Sequence, residues 1–252
     1  MANLRRFFTA PASHFFLFGP RGTGKTSWLR ESFADALRID LLDPETHRTL
    51  AARPELLRQR VAGRAQAPVV VLDEVQRIPD LLNVVHQLIE EQPRGPRFVL
   101  TGSSARKLRQ AGVNLLGGRA AKRSLHPFMA GEIGAAFRLE DALADGLLPL
   151  VWSAPDRQQA LQAYVLLYLR EEVQAEGLVR RLDAFARFLE AISFSHAQTL
   201  NLSEVARESQ VSRKTAEGYL EILEDLLLAF RLPVFSRRAK RRVVQHPKFY
   251  LF

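Results

Sequence analysis

GPRGTGKT, Gly19 to Thr26, decides how this chain is read. It fits G-x-x-x-x-G-K-[ST] in full. The apolar run His14–Phe18 (HFFLF) precedes it, and helix-like spacing over Thr26–Leu37 follows. Strand, glycine-rich turn and helix in that order make a cradle for phosphate. Gly19, Gly22 and Gly24 let the backbone aim successive N–H groups at one anion. The helix that begins near Lys25 adds its positive end. Gly19, Pro20, Arg21, Gly22, Thr23, Gly24, Lys25, Thr26 and Ser27 are the expected contacts to a nucleoside triphosphate, with ATP the expected ligand. Lys25 would bridge the β- and γ-phosphates, and the Thr26 hydroxyl would ligate Mg²⁺.

Further along, Val69–Glu74 (VVVLDE) puts two carboxylates directly after a continuous β-branched run. In an open α/β sheet, the carboxyl ends of the strands are where ligands bind. Asp73 is expected to hold Mg²⁺ through water, and Glu74 to orient or deprotonate the attacking water. A helix-capping Asp-Glu pair is the bland alternative. Arg97–Ser104 (RFVLTGSS) reads as another strand ending in hydroxyls. Thr101, Ser103 and Ser104 either sense the γ-phosphate or cap a helix over 105–110. Arg119, after Gly117 and Gly118, either reaches the γ-phosphate of its own or a neighbouring subunit or is an ordinary surface arginine.

Between these motifs, short apolar runs alternate with helical patterns. Arg38–Leu42 is a short run, Pro54–Val61 reads as helix, and Leu81–Glu91 carries an amphipathic stripe. Ala121–Phe128 offers a fifth strand. The alternation implies right-handed crossovers and a parallel sheet buried on both faces. From about residue 140 helical patterns take over, at Asp156–Glu176 and Leu178–Phe194. The expected division is 1–145 for an α/β domain, 146–199 for a helical connector and 200–252 for a helix-turn-helix with a wing.

The chain has 252 residues, 36 basic against 27 acidic, a formal +9. Residues 1–145 carry 21 − 15 = +6, residues 146–225 carry 8 − 12 = −4, and residues 226–252 carry 7 − 0 = +7. No cysteine is present, which excludes disulfides, thiolate zinc sites and a cysteine nucleophile. No apolar run approaches the roughly 18 residues of a membrane span, and MANLRRFFTA lacks the apolar region of a secretory signal. A soluble cytoplasmic protein is the expectation, with no membrane partner.

Leu200–Leu228 has the layout of a helix-turn-helix, with Ser203 expected to cap a helix over Glu204–Glu208 and Ser212 a second through Asp225. Arg231–Phe252 would be the wing, its tip RRAKRR holding five basic residues in six. Arg213 and Lys214 at the start of the second helix, with Arg237, Arg238, Lys240, Arg241 and Arg242 on the wing, are the expected phosphate contacts if DNA is a partner. Glu217, Glu221, Glu224 and Asp225 argue against base reading by that helix. A winged helix used only for packing is the competing reading.

These pieces together resemble the prokaryotic AAA-type (archaeal-ATPase-like) P-loop family. The resemblance spans nearly the whole chain: GPRGTGKT, VVVLDEVQRIPDLLNVVHQLIE, FVLTGSSARKL, NLLGGRA, LLPLVW, YLREEV, FARFLEAI, NLSEVARESQVSRKTAEGYLEILEDLLL and PKFYLF. It implies Lys25 and Thr26 as the phosphate-loop lysine and hydroxyl, and Asp73 and Glu74 as the metal and catalytic acids. Members usually continue into a nuclease-like domain, whereas this chain stops at Phe252 within an apolar strand, where an open edge would promote aggregation. The implied activity is slow Mg²⁺-dependent ATP hydrolysis, with possible homo-oligomers. The rival is a nucleotide-dependent switch with little turnover that regulates a protein or DNA.

Overall fold

A computed structural model describes residues 4–103, 108, 116–168, 182–234 and 246–252. The chain divides into two compact units, 1–153 and 154–252.

In the first unit, β1 (Phe15–Phe18), β2 (Leu37–Asp40), β3 (Val69–Asp73), β4 (Arg97–Gly102) and β5 (Ala121–Ser124) form one sheet. Its order is β2-β3-β4-β1-β5, and every pairing is parallel. The fold is α/β, as the alternation implied. Strands β1 and β3 are buried throughout and β4 from Phe98 onward, as befits a sheet covered on both faces. Phe15 and Leu17 share one face with Val69, Val71 and Val99, packed against Leu29 and Leu125. Phe16, Phe18, Val70, Leu72, Phe98 and Leu100 alternate with them and are also buried.

Four helices cover the early strands: α1 (Lys25–Ser32), α2 (Pro44–Ala52), α3 (Leu56–Ala62) and α4 (Leu81–Glu91). α1 ends five residues before the expected Leu37. Arg38 on β2 turns its guanidinium back onto the carbonyls of Leu29 (3.1 Å), Arg30 (3.3 Å) and Phe33, satisfying the helix end. α2 has a start signal in the sequence: Asp43 accepts from Thr46 N (2.7 Å), and Pro44 occupies the first turn. The unit closes at Ser153, eight residues beyond the expected 145, because the later segment folds back. Phe128 N donates to Leu147 O (2.8 Å), and Leu150 N to Gly22 O (3.1 Å).

The second unit holds the helices Leu182–Ser193, Leu202–Glu208 and Arg213–Asp225, then the antiparallel strands β6 (Ala229–Leu232) and β7 (Lys248–Leu251). Its core is built from Phe185, Phe188, Leu200, Tyr219, Leu223 and Phe249 with smaller neighbours. Ser212 caps the last helix, accepting from Thr215 N at 3.0 Å. The cap before it is Asn201 rather than Ser203, so that helix starts at Leu202. The edge of β7 is not left open as expected. Ala197 N donates to Phe249 O (2.7 Å) and Phe249 N to Gln198 O (3.0 Å), covering the side away from β6. The expected helix over 156–176 is described only through Tyr168, as Arg157–Ala163 and a π-turn. No described helix is long and apolar enough to cross a membrane.

Candidate functional site

The loop that leaves β1 is shaped by close approaches as much as by backbone freedom. A Cβ on Gly19 would stand 2.2 Å from Leu125 O, so only glycine fits beneath the segment after β5. Gly22 (φ 83°) and Gly24 (φ 81°) take the left-handed conformation that lets the chain fold over itself. Thr23 closes the turn, its hydroxyl donating to Pro20 O at 2.8 Å. Lys25 is buried and curls into the loop, Nζ donating to Gly19 O (2.7 Å) and Pro20 O (3.2 Å). Pro20 is buried, while Arg21 and Ser27 are exposed.

Parallel register brings the other motifs to the same edge. Leu17 pairs with Thr101 and Phe18 with Gly102, while Leu72 pairs with Leu100, so Asp73 and Thr101 emerge beside the loop. Asp73 is bonded on both oxygens. Thr26 Oγ1 donates to Oδ2 at 2.7 Å, and Thr101 Oγ1 to Oδ1. The Thr101 hydroxyl also accepts from Glu74 N at 3.1 Å. Glu74 itself has φ 62° and ψ 46°, a left-handed backbone that costs a non-glycine residue energy and clusters at functional sites. Ser103 is buried nearby, its hydroxyl 3.3 Å from Gln76 Nε2. Ser104 and the segment 105–107 and 109–110 lie outside the described residues.

A strap from the amino terminus completes the loop, and nothing in its sequence singled it out. Arg6 is paired with Glu132 (3.1 Å) in a nearly dry setting, side chains 9% and 1% exposed. Its guanidinium also donates to Thr23 O (2.9 Å) and His126 O, and lies over the Phe128 ring at 4.9 Å. Glu132 in turn accepts from Phe7 N (2.7 Å) and Met129 N (3.0 Å). Burial, then the Arg6 charge, holds the His126 imidazole below its ordinary pKa. Beside the strap and the loop lies a cavity of about 540 Å³, walled by Leu4, Trp28, Phe128, Leu150 and Trp152. Pairing residues 6 and 132 requires the fold, because no local pattern links them.

Other expected residues are not gathered here. β5 runs parallel to β1, so Arg119 precedes it at the amino edge of the sheet, whereas the loop leaves at the carboxyl edge. A four-residue strand separates those edges by roughly 13 Å. Arg119 instead pairs with Glu90 at 2.6 Å. A role toward the phosphate loop of its own chain is therefore not what this arrangement provides. In the second unit, Arg213 and Lys214 are exposed at a helix start, and Glu224 binds Arg231 through both oxygens (2.8 and 2.6 Å). Arg237, Arg238, Lys240, Arg241 and Arg242 lie outside the described residues.

The donor set suits a hard divalent cation. Thr26 and Asp73 offer adjacent oxygens, and Mg²⁺ takes few protein ligands, completing its shell with phosphate and water. Among the described residues no group of three His, Asp or Glu side chains forms an all-protein metal cage.

A five-stranded parallel sheet, a glycine-rich loop and paired carboxylates at one edge define the class: an α/β nucleotide-binding domain of ATPase type. Residues 12–134 match the AAA domain family, which supports that class, and residues 136–252 match a family described as Domain of unknown function (DUF8612). Two curated relatives, uncharacterized proteins of Mycobacterium tuberculosis and Mycobacterium bovis, are each 27% identical over 255 residues. The alignments cover 99% of this chain and 56% of the relatives, so the chain spans about half the length of the curated relatives it matches. Among solved structures, the ORC2 protein of Aeropyrum pernix in its ADP form aligns with 13% identity and a TM-score of 0.43, covering 95% of this chain and 83% of that one. AMPPCP-bound DnaA from Aquifex aeolicus aligns with 14% identity and a TM-score of 0.37, covering 84% and 82%.

Proposed function

We propose that the first unit binds ATP with Mg²⁺ and hydrolyses it slowly to ADP and phosphate. The observation that carries this reading is the 2.7 Å bond from Thr26 Oγ1 to Asp73 Oδ2, which joins the start of α1 to the end of β3. It puts a hydroxyl and a carboxylate side by side at the mouth of a loop built for anions.

The phosphates would lie against the loop N–H groups and the start of α1. Lys25 would exchange the carbonyls of Gly19 and Pro20 for phosphate oxygens, its charge then offsetting theirs. Thr26 and, through water, Asp73 would hold Mg²⁺, which when bound neutralises charge on the β- and γ-phosphates. Glu74 orients the attacking water and accepts its proton. The cavity beside the loop, with Trp28, Phe128 and Trp152 on its walls, has the size and apolar lining to seat the base.

Single-turnover hydrolysis by Glu74→Gln tests the proposal. The expected result is a rate about 100- to 10,000-fold below the parent with ATP still bound. Equal rates would remove Glu74 from the reaction. Tight binding with negligible turnover in the parent would favour the switch reading instead.

DNA contact by the second unit is supported by one observation: Arg213 and Lys214 are exposed at the start of the helix that follows the turn. An in-trans role for Arg119 would require a homo-oligomer, and a cytoplasmic setting fits both proposals.

A further inference from the structure

Glu74 is held at two points. Its N–H donates to Thr101 Oγ1, and its carboxylate Oε2 accepts from Gln76 Nε2 at 2.5 Å. The same amide nitrogen reaches Ser103 Oγ at 3.3 Å, so Gln76 ties the end of β4 to Glu74. Turning the nitrogen toward a carboxylate turns the amide oxygen the other way. Gln76 Oε1 is buried and has no hydrogen-bond partner among the described residues. An unpaired buried oxygen is unfavourable, and such groups persist where the rest of the side chain has a task.

Gly102 points to the same task. Its backbone is not left-handed, yet an added Cβ would come within 2.5 Å of Gln76 Oε1. The space left by the missing side chain is the space the Gln76 amide fills.

We propose that Gln76 is a positioning residue. Its amide, wedged against Gly102, holds the Glu74 carboxylate by Oε2 and so fixes the direction from which that carboxylate meets the attacking water. The proposal rests on the ATPase reading above. In the step it serves, the water oxygen bonds to the γ-phosphorus as the bond to the β-phosphate oxygen breaks. The water proton passes to Glu74 and then to solvent, and ADP and phosphate leave.

Gln76→Met keeps the length and bulk of the side chain but has no donor. Single-turnover hydrolysis by this variant is expected to fall about 10- to 100-fold, the range a small misplacement produces, while ATP affinity changes less than about twofold. A side chain that mattered only for packing would be replaced by Met with little loss. A second readout needs no nucleotide. Gly102→Ala is expected to lower the melting temperature in the parent and to have no such effect when combined with Gln76→Ala, which removes the clash.

Parental rates in Gln76→Met, or a Gly102→Ala loss undiminished in the Gln76→Ala background, would overturn the proposal while leaving the ATPase reading intact. A parent protein without turnover would sink both.

Discussion

The two units of this protein bury different kinds of side chain. Of the seven buried polar residues described, Thr23, Lys25, Asp73, Thr101, Ser103 and Glu132 lie in the first unit, and Ser209 alone in the second. Ser209 merely closes its own helix, its hydroxyl donating to Val205 O at 2.6 Å. The six in the first unit are bonded into the loop, the Asp73 edge and the amino-terminal strap. Burying polar groups is unfavourable unless each finds a partner. Among its described residues the second unit buries an aromatic cluster of Phe185, Phe188 and Tyr219 instead.

The largest expected effect breaks the chemistry of one unit without touching the other. Lys25→Ala should reduce ATP turnover about 100- to 1,000-fold, the loss seen when one preorganised charge-stabilising donor is removed. Far-ultraviolet circular dichroism should be unchanged. Turnover that survives would mean that the buried polar network is structural only.

Stability separates the units next. Glu132→Ala leaves the Arg6 guanidinium buried without its carboxylate, at a cost of about 3–5 kcal/mol. Phe188→Ala opens a cavity costing about 3–5 kcal/mol. Both tryptophans, Trp28 and Trp152, lie in the first unit, so their fluorescence reports its unfolding. Glu132→Ala should move the tryptophan transition in urea and raise KM for ATP through the Thr23 carbonyl. Phe188→Ala should do neither. A tryptophan transition that moved equally in both variants would contradict the division.

A smaller effect sharpens the surface half of the comparison. Arg213→Ala with Lys214→Ala should flatten the salt dependence of duplex DNA binding by about two in log–log slope, roughly one per phosphate contact. An unchanged slope would remove the helix start from any DNA interface.

The smallest is a pH effect confined to the first unit. Burial and then the Arg97 charge depress the pKa of His14 from its ordinary 6.5, and the neutral ring accepts from Phe98 N at 3.0 Å. His126 is depressed likewise, by burial and then Arg6. A histidine depressed on folding binds protons more readily in the unfolded chain. Its stability is therefore fully present above 6.5 and is lost as pH falls below that value. The tryptophan melting temperature should drop between pH 7.5 and 5.5, and a flat profile would contradict it.

Much of the candidate site was legible in the sequence because its parts are contiguous. Eight residues specify the loop, and Asp73 and Glu74 follow a β-branched run that reads as a buried strand. Thr101 was legible as a strand-end hydroxyl, although its bonds to Asp73 and Glu74 were not. Gln76 stood in plain view in VVVLDEVQRIPD, yet its role depends on Gly102 and Ser103 from another strand. Arg6 carried no local signal in MANLRRFFTA, since its partner Glu132 lies 126 residues away. Ser203 looked like a cap, but the chain began its helix two residues earlier and used Asn201. The end of α1 depended on a guanidinium arriving from β2.

What the sequence determined by itself was whatever rests on neighbours along the chain: the phosphate loop, the alternation of strand and helix, and the patterning of buried runs. These follow from backbone geometry and side-chain periodicity, which act over a few residues. What only the tertiary structure decided was pairing. Strand order β2-β3-β4-β1-β5 set Asp73 and Thr101 beside the loop and put Arg119 at the opposite edge. It also brought Arg6 to Glu132 and Gln76 to Gly102 and Ser103. Such contacts form between residues far apart in sequence, and their energies arise from burial and hydrogen bonding that exist only once the sheet has closed.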